Sequence, residues 1–320
     1  MKVILSRKGF DSSYGGFPSI ILPDGKMISF PIPEKKYRNN IKEQIIKYHF
    51  TEDELKNILD LFGKRKIKMP SAPQGLEPKD CIFHLDPSIQ NMDITMTYID
   101  EENKKNKIQL NLNEKKIGAL GQSGAAAGHL VNNKISPSDL TKEEPALFLF
   151  FGLFQETNKE LEPIKKPFHA IWGYLISYAA IDISNNPLIP VELKSHPHFI
   201  NRKTYEKRNI IFYGDTCGTF KFDVNHKEYL QLTKKGSDNL TNWKIQNLWK
   251  KMDSKDKITM TYNDKKIKSQ LDLDSECDEI EFTAASIGQE FIIKNANPQE
   301  LKKWLKNLGL PQNARNELGI

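Results

Sequence analysis

The chain has 320 residues, with 47 lysines and arginines against 41 aspartates and glutamates and a formal net charge of +6, which is mildly basic and excludes a histone-like polycation. A chain of this length forms one large domain or two ordinary ones and buries about three quarters of its unfolded surface, so disulfides are not needed to hold it. Its 38% apolar and 10% aromatic residues exclude a disordered, collagen-like or coiled-coil chain.

The opening reads as a strand from Lys2 to Leu5, a polar glycine-rich loop, a strand from Ser19 to Leu22, the turn Pro23-Asp24-Gly25-Lys26 and a strand from Met27 to Ile32. Asp-Gly between apolar runs is the strongest short hairpin signal. Helical spacing follows at Asn40 to His49. A second helix begins at Thr51, where Thr51 and Glu54 form a capping box, Leu55, Ile58, Leu59 and Phe62 form the stripe, and Gly63 ends it. Residues 64–80 read as loop. Alternation at Ile94 to Tyr98 and at Ile108 to Leu112, around a charged turn, predicts another hairpin. The pentapeptide Ile-Thr-Met-Thr-Tyr occurs at Ile94 and again at Ile258, each followed by a lysine-rich turn and an alternating segment; two copies of five residues in a biased composition read as coincidence.

The most apolar stretches, Ala146 to Phe154, Ala170 to Ile181 and Ile210 to Tyr213, read as central strands. A helix is expected over Asp238 to Met252, carrying Leu240, Trp243, Leu248, Trp249 and Met252. The last helix has Asn297 as cap, Pro298 in its first turn, a stripe of Leu301, Trp304, Leu305 and Leu308, and Gly309 past its end. Strands and helices mix without sustained βαβ alternation, so the fold class is α+β, with mixed, mostly antiparallel sheets and helices outside. We read one domain over 1–320; the weakest place for a division is Ser184 to Pro197, with three prolines.

Cys81, Cys217 and Cys277 are an odd, scattered set with no C-x-x-C pair, which fits a reducing cytoplasm. Val3-Ile4-Leu5 is too short an apolar run for a signal peptide. Ala146 to Phe154 and Ala170 to Ile181 fall short of the about 20 residues of a membrane span. A soluble cytoplasmic protein is the expectation.

The loop Ser6-Arg7-Lys8-Gly9-Phe10-Asp11-Ser12-Ser13-Tyr14-Gly15-Gly16 sets cations, a carboxylate, hydroxyls and glycines between two core strands. Glycines let backbone N–H groups approach an anion closely, with Lys8 and Asp11 at a strand end; a plain solvated connection fits the composition equally. Cys81, His84 and Asp86, or His196, His198 and Cys217, have ligand-type side chains but give no complete four-ligand pattern, so no metal is expected. Ser123 before His129 lacks the G-x-S-x-G elbow and fits a small-residue packing loop better. No P-loop signature is present, and Gly118 to Gly124 is a poor dinucleotide fingerprint, so no cofactor is expected.

Ser6 to Ser19 resembles the opening signature of the third nucleotide-modification-associated domain family of phages and bacteria. Further segments match in order: His84-Leu85-Asp86-Pro87, Gly121-Gln122 through Ala125 to Gly128-His129-Leu130, Leu147 to Gly152, His169 to Tyr174, His196-Pro197-His198, and Gly288-Gln289-Glu290-Phe291. The resemblance spans nearly the whole chain. One departure is Thr141 to Pro145, inserted between Asp139-Leu140 and the apolar strand. The resemblance implies an association with modified bases in DNA, typically in conflict between phages and their hosts. Asp139 to Ile183 is also similar, at the level of fold analogy, to PUA-like barrels, which include readers of modified bases.

Three activities follow from that implication. Cleavage of the N-glycosidic bond, leaving an abasic site, passes through an oxocarbenium-like transition state and needs a carboxylate near the sugar and a donor for the departing base. Asp11 and Asp86 are the expected carboxylates, and Lys8, Gln122 and His129 the donors. The base must be turned out of the duplex into a pocket, for which Phe10, Ser12, Ser13, Tyr14, His84 and Ser123 are the expected lining. The alternatives are a transferase that builds the modification and a reader that binds it without chemistry. Basic clusters with aromatics suit a phosphate-tracking surface. Arg202, Lys203, Tyr205, Lys207 and Arg208 are the first choice for contacts to double-stranded DNA carrying modified bases. No membrane and no obligate protein partner is expected.

Overall fold

The computed structural model describes residues 2–7, 18–28, 118–159, 162–184, 188–190, 193, 196–200, 202, 208–246, 258–270, 279–285, 290–294 and 298–320, with the backbone alone of 28, 32–33, 83–84, 94–99, 105–110, 197, 200, 246 and 279. Its first strands are β1 (Lys2–Arg7), β2 (Ser19–Ile21), β3 (Met27–Ile28), β4 (Ile32–Pro33), β5 (Phe83–His84), β6 (Ile94–Ile99), β7 (Lys105–Leu110) and β8 (Gly118–Ser123), followed by helix α1 (Gly124–Asn132). Then come β9 (Ala146–Glu156), β10 (Phe168–Ser177), β11 (Ala179–Asp182), α2 (Pro197–Ile200), β12 (Asn209–Gly214), β13 (Thr216–Thr219), α3 (Lys227–Leu230) and β14 (Asn242–Gln246). The chain finishes with β15 (Ile258–Met260), α4 (Asp264–Gln270), β16 (Glu279–Thr283), β17 (Glu290–Lys294), α5 (Pro298–Asn307) and α6 (Gln312–Glu317).

The fold is α+β, built on one mixed sheet. Its order is β13-β10-β9-β1-β17-β15, with β2 beside β9 and β3 beside β2. Strand β1 runs parallel to β9, from Lys2 opposite Ala146 to Arg7 opposite Phe151, and antiparallel to β17, with Ser6 opposite Glu290. Strand β2 continues along β9, with Ser19 opposite Phe154. Every residue of β9 from Ala146 to Phe154 is buried. A strand buried on both faces reads as a continuous apolar run, and two layers cover it here.

On one face lies the sheet β11-β12-β8, where Phe212 of β12 meets Phe148 with ring centroids 5.2 Å apart. On the other lies the β14-β16 pair, where Trp243 stands edge-on to Phe151 at 4.9 Å and beside Phe291 at 5.6 Å. Alternation along β1 therefore sends Ser6 to the first face and Arg7 to the second. Such aromatic pairs each contribute about 0.5–1.5 kcal/mol beyond area burial.

The hairpin at Pro23 to Lys26 forms, with Gly25 at φ +85° and no room for a Cβ, which would meet the Phe222 carbonyl oxygen at 2.7 Å. Strands β6 and β7 pair antiparallel, as alternation predicts. Helix α5 buries Leu301, Trp304 and Leu305, and Gly309, two residues past its end, has φ +86°.

Three expectations change. Residues 242–246 form a strand paired with β16, not a helix, because Trp243 and Ile245 alternate toward the core while Lys244 faces out. The second Ile-Thr-Met-Thr-Tyr copy leads into helix α4, not an alternating strand. Among the described residues no sheet closes, and β9 and β10 belong to the open central sheet, so no barrel forms over 139–183. The helices expected at 40–49 and 51–62 lie outside the described residues. No helix among the described residues is long and apolar enough to cross a membrane.

Candidate functional site

Polar side chains gather where β1 ends, on the face of Ser6. Ser6 Oγ donates to Glu290 Oε2 at 3.3 Å. Gln122 Nε2 donates to Ser6 Oγ and to Glu290 Oε2, both at 3.1 Å. His129 Nδ1 lies 3.1 Å from Glu290 Oε1, with side chains 13% and 3% exposed. A carboxylate only accepts. So the Gln122 amide must turn its NH2 to Glu290, and His129 must carry a proton on Nδ1.

The backbone fixes this group. Glu290 opens β17, and its N–H donates to Thr261 Oγ1 at 2.8 Å. Gln122 is the penultimate residue of β8, next to Gly121, where an added Cβ would stand 2.2 Å from His198 Cδ2 and 2.8 Å from His196 Cε1. Glycine is therefore required for the His196-His198 wall to lie against β8. His198 is held in turn by Asn209, whose Oδ1 accepts from His198 Nδ1 at 2.7 Å and whose Nδ2 donates to the His198 carbonyl at 3.0 Å. Helix α1 starts at Gly124, φ +57°, and brings His129 over Glu290 in its second turn. Asn133 closes the helix on the His129 carbonyl at 2.7 Å and accepts from Thr259 Oγ1 at 3.1 Å.

Glu290 is satisfied from three sides, yet His129 Nε2 is buried with no hydrogen-bond partner among the described residues. A buried polar atom left unpaired costs about 1–3 kcal/mol. In the neutral ring Nε2 holds the lone pair, because Nδ1 keeps the proton for Glu290. A buried carboxylate behind one imidazole nitrogen, with the other uncommitted, is the arrangement of a general base.

On the opposite face, Arg7 Nη2 donates to His169 Nε2 at 3.2 Å. Arginine has no acceptor, so the His169 proton is on Nδ1 and goes to the Leu240 carbonyl at 3.1 Å. Trp243 Nε1 lies 3.1 Å from the same Nδ1, a close approach that this tautomer does not make a hydrogen bond. The His169 N–H donates to Thr233 Oγ1 at 2.8 Å. Burial, then the Arg7 charge, depress the His169 pKa to about 3. This ring is neutral and fully committed.

Of the residues expected from sequence, Gln122 and His129 converge on Glu290. Ser123 precedes α1 in extended conformation without capping it. Arg208 is exposed, its carbonyl accepts the Gly124 N–H at 3.1 Å, and its Nη1 lies beside Gly128. Arg202 lies over the Phe199 ring, 4.4 Å from its centroid, and donates to the Phe199 carbonyl at 3.0 Å. His84 pairs by its backbone with Ile32. Lys8, Phe10, Asp11, Ser12, Ser13, Tyr14, Asp86, Lys203, Tyr205 and Lys207 lie outside the described residues.

Glu290, Ser6 and Arg7 were not singled out by sequence reasoning, although all three stand inside matched segments. The available signal was a carboxylate as the first residue of the otherwise apolar strand Glu290-Phe-Ile-Ile-Lys. Among the described residues no group of three His, Cys, Asp or Glu is placed to hold a metal ion. A cleft of about 330 Å³ between the β2-β3 turn, the end of β9 and Phe222 to Lys227 shares no lining residue with the Glu290 group.

Comparison with known proteins adds one match. The family model of nucleotide modification associated domain 3 covers residues 2–294. No curated protein and no solved structure matches.

Proposed function

The chain belongs to the nucleotide modification associated domain 3 family, and from that premise we propose that it is a hydrolase of the N-glycosidic bond, releasing a hypermodified base from phage DNA and leaving an abasic site as a defence. The observation that carries this reading is the Glu290-His129 pair with its uncommitted Nε2.

In this mechanism His129 Nε2 takes a proton from water, and the water oxygen forms the new bond to C1′ of the sugar. The bond from C1′ to the base breaks with its electron pair going to the base nitrogen, which is then protonated from the imidazolium. Glu290 stabilises that imidazolium by accepting from Nδ1. Ser6 and Gln122 keep the carboxylate from rotating. General acid and base catalysis of this kind contributes about 10²–10⁴-fold. Lys8 and Asp11 follow Arg7 in the chain and keep their expected roles, donor and sugar-facing carboxylate. Arg208 and its neighbours in sequence would contact the phosphates of double-stranded DNA. The protein would act without cofactor, in the cytoplasm, as one domain.

The test is incubation of pure protein with modified and unmodified phage DNA, without added cofactor, followed by assay of free base and alkali-labile sites. Release from modified DNA alone supports the hydrolase. A mass increase that needs a co-substrate identifies a transferase, and binding without product identifies a reader.

A further inference from the structure

We propose that Gln122 reads the extruded base and selects one carrying an exocyclic amino group; the proposal deepens the hydrolase reading and rests on it for the identity of the site. The two ends of an amide are chemically opposite, and here they are not interchangeable. Nε2 stands 3.1 Å from both Ser6 Oγ and Glu290 Oε2, and the Ser6 proton also goes to Oε2 at 3.3 Å. Turning the amide over would set its oxygen against a carboxylate oxygen, acceptor on acceptor. Both N–H groups are therefore committed inward and Oε1 is turned away from the carboxylate.

No hydrogen bond to Oε1 forms among the described residues. Gln122 is 7% exposed and Oε1 is not one of the fully buried unpaired atoms, so this acceptor is fixed by a network it cannot leave and is open to an incoming group. The next three residues, Ser123, Gly124 and Ala125, are small and half-buried or exposed. A fixed acceptor favours an N–H donor and rejects a carbonyl oxygen in the same position. Sites built this way discriminate strongly, because the wrong ligand covers the acceptor and leaves it unpaired. An amino group on a cytosine-type or adenine-type base meets the requirement; the oxo group of a uracil-type or hypoxanthine-type base does not.

The experiment uses two pairs of duplex oligonucleotides identical except at one base. One pair carries 5-hydroxymethylcytosine or 5-hydroxymethyluracil, the other adenine or hypoxanthine. Single-turnover base release and equilibrium binding are both read for the full chain. In the better-accepted pair the amino base should be favoured at least about tenfold, and Gln122→Met should bring the ratio to within about threefold. A third ligand, the N4,N4-dimethyl analogue of the cytosine base, removes both donors without altering the protein and should behave as the oxo base, which keeps the test valid if Gln122→Met fails to fold. Equal or reversed preference in both pairs, full acceptance of the dimethyl analogue, or a preference unchanged in a folded Gln122→Met overturns the proposal. Amino preference in binding with no base released upholds Gln122 as the reading residue and refutes the hydrolase.

Discussion

Ser6 and Arg7 are neighbours on one strand, and each leads to a histidine on its own side of the sheet, His169 buried and His129 partly buried, yet the two histidines are in opposite states. His169 has both ring nitrogens engaged, by Arg7 and by the Leu240 carbonyl, and its N–H on Thr233. His129 has one nitrogen engaged by Glu290 and the other buried and without a partner among the described residues. What separates the two rings is the number of engaged ring nitrogens. The partners set the difference: arginine can only donate and forces its histidine to accept, while glutamate can only accept and leaves the far nitrogen its lone pair.

The largest expected effect breaks the His129 side. Glu290→Gln keeps the shape but sets amide donors among donors and removes the charge behind His129. Base release in a single turnover should fall about 10³-fold, with DNA binding changed less than about threefold. Equal loss of both would make Glu290 a packing residue.

The His169 side should break as stability, not rate. His169→Ala opens a cavity under Trp243 and strands its polar neighbours, at a cost of about 3–5 kcal/mol in urea unfolding. Acid sharpens the same point. The folded pKa is about 3 against an ordinary 6.5, so between those values the unfolded chain binds the extra proton. Stability from the neutral ring is whole above about pH 6.5 and is lost as pH falls toward 3, at no more than about 1.4 kcal/mol per pH unit. Urea midpoints from pH 7 to pH 4 should fall more steeply for the natural chain than for His169→Gln; parallel curves would show that this ring does not govern acid stability.

Gly121→Ala ranks next. Its Cβ would overlap His198 at 2.2 Å, so β8 or the histidine wall must shift, costing about 1–3 kcal/mol as overpacking does. Because Gln122 is the next residue, base release should drop as well. Unchanged melting would mean that the wall yields.

How much of this the sequence disclosed follows from the range of each interaction. Local devices were legible: Asp24-Gly25 gave the turn, the Leu301-Trp304-Leu305 stripe with Gly309 gave α5, and the apolar runs gave β9, β10 and β12. Residues 238–252 misled because Leu240, Trp243 and Trp249 also fit helical spacing, whereas the strand is imposed by pairing with β16, distant in sequence. The parallel register of β1 on β9, which sends Ser6 and Arg7 to opposite faces, has no local signature. Gln122 and His129 stood out by their motif. Glu290 did not, since a lone glutamate before an apolar strand resembles any strand edge until β1 is laid beside it.

The smallest expected effect carries the distinction between committed and uncommitted groups to the surface. Arg202 is stacked on Phe199 and bonded to its carbonyl, so it contributes packing and offers little to a phosphate. Arg208 is exposed beside Gly128, and no hydrogen bond or ion pair from its guanidinium forms among the described residues. Its carbonyl accepts the N–H of Gly124, the first residue of α1, and the N-cap Ser123 makes no side-chain capping bond. Removing a single cation from a phosphate should lower the slope of log affinity against log salt by about 0.9. Arg208→Gln should therefore weaken binding to duplex DNA a fewfold at moderate salt, flatten that slope by about one, and leave the melting temperature within about 2 °C. Arg202→Gln should do the reverse, shifting melting while leaving the salt slope in place, because the guanidinium it removes is already spoken for by the protein. If both variants alter the slope alike, Phe199 releases Arg202 when DNA arrives, and commitment in the free protein does not predict which cations meet the phosphates.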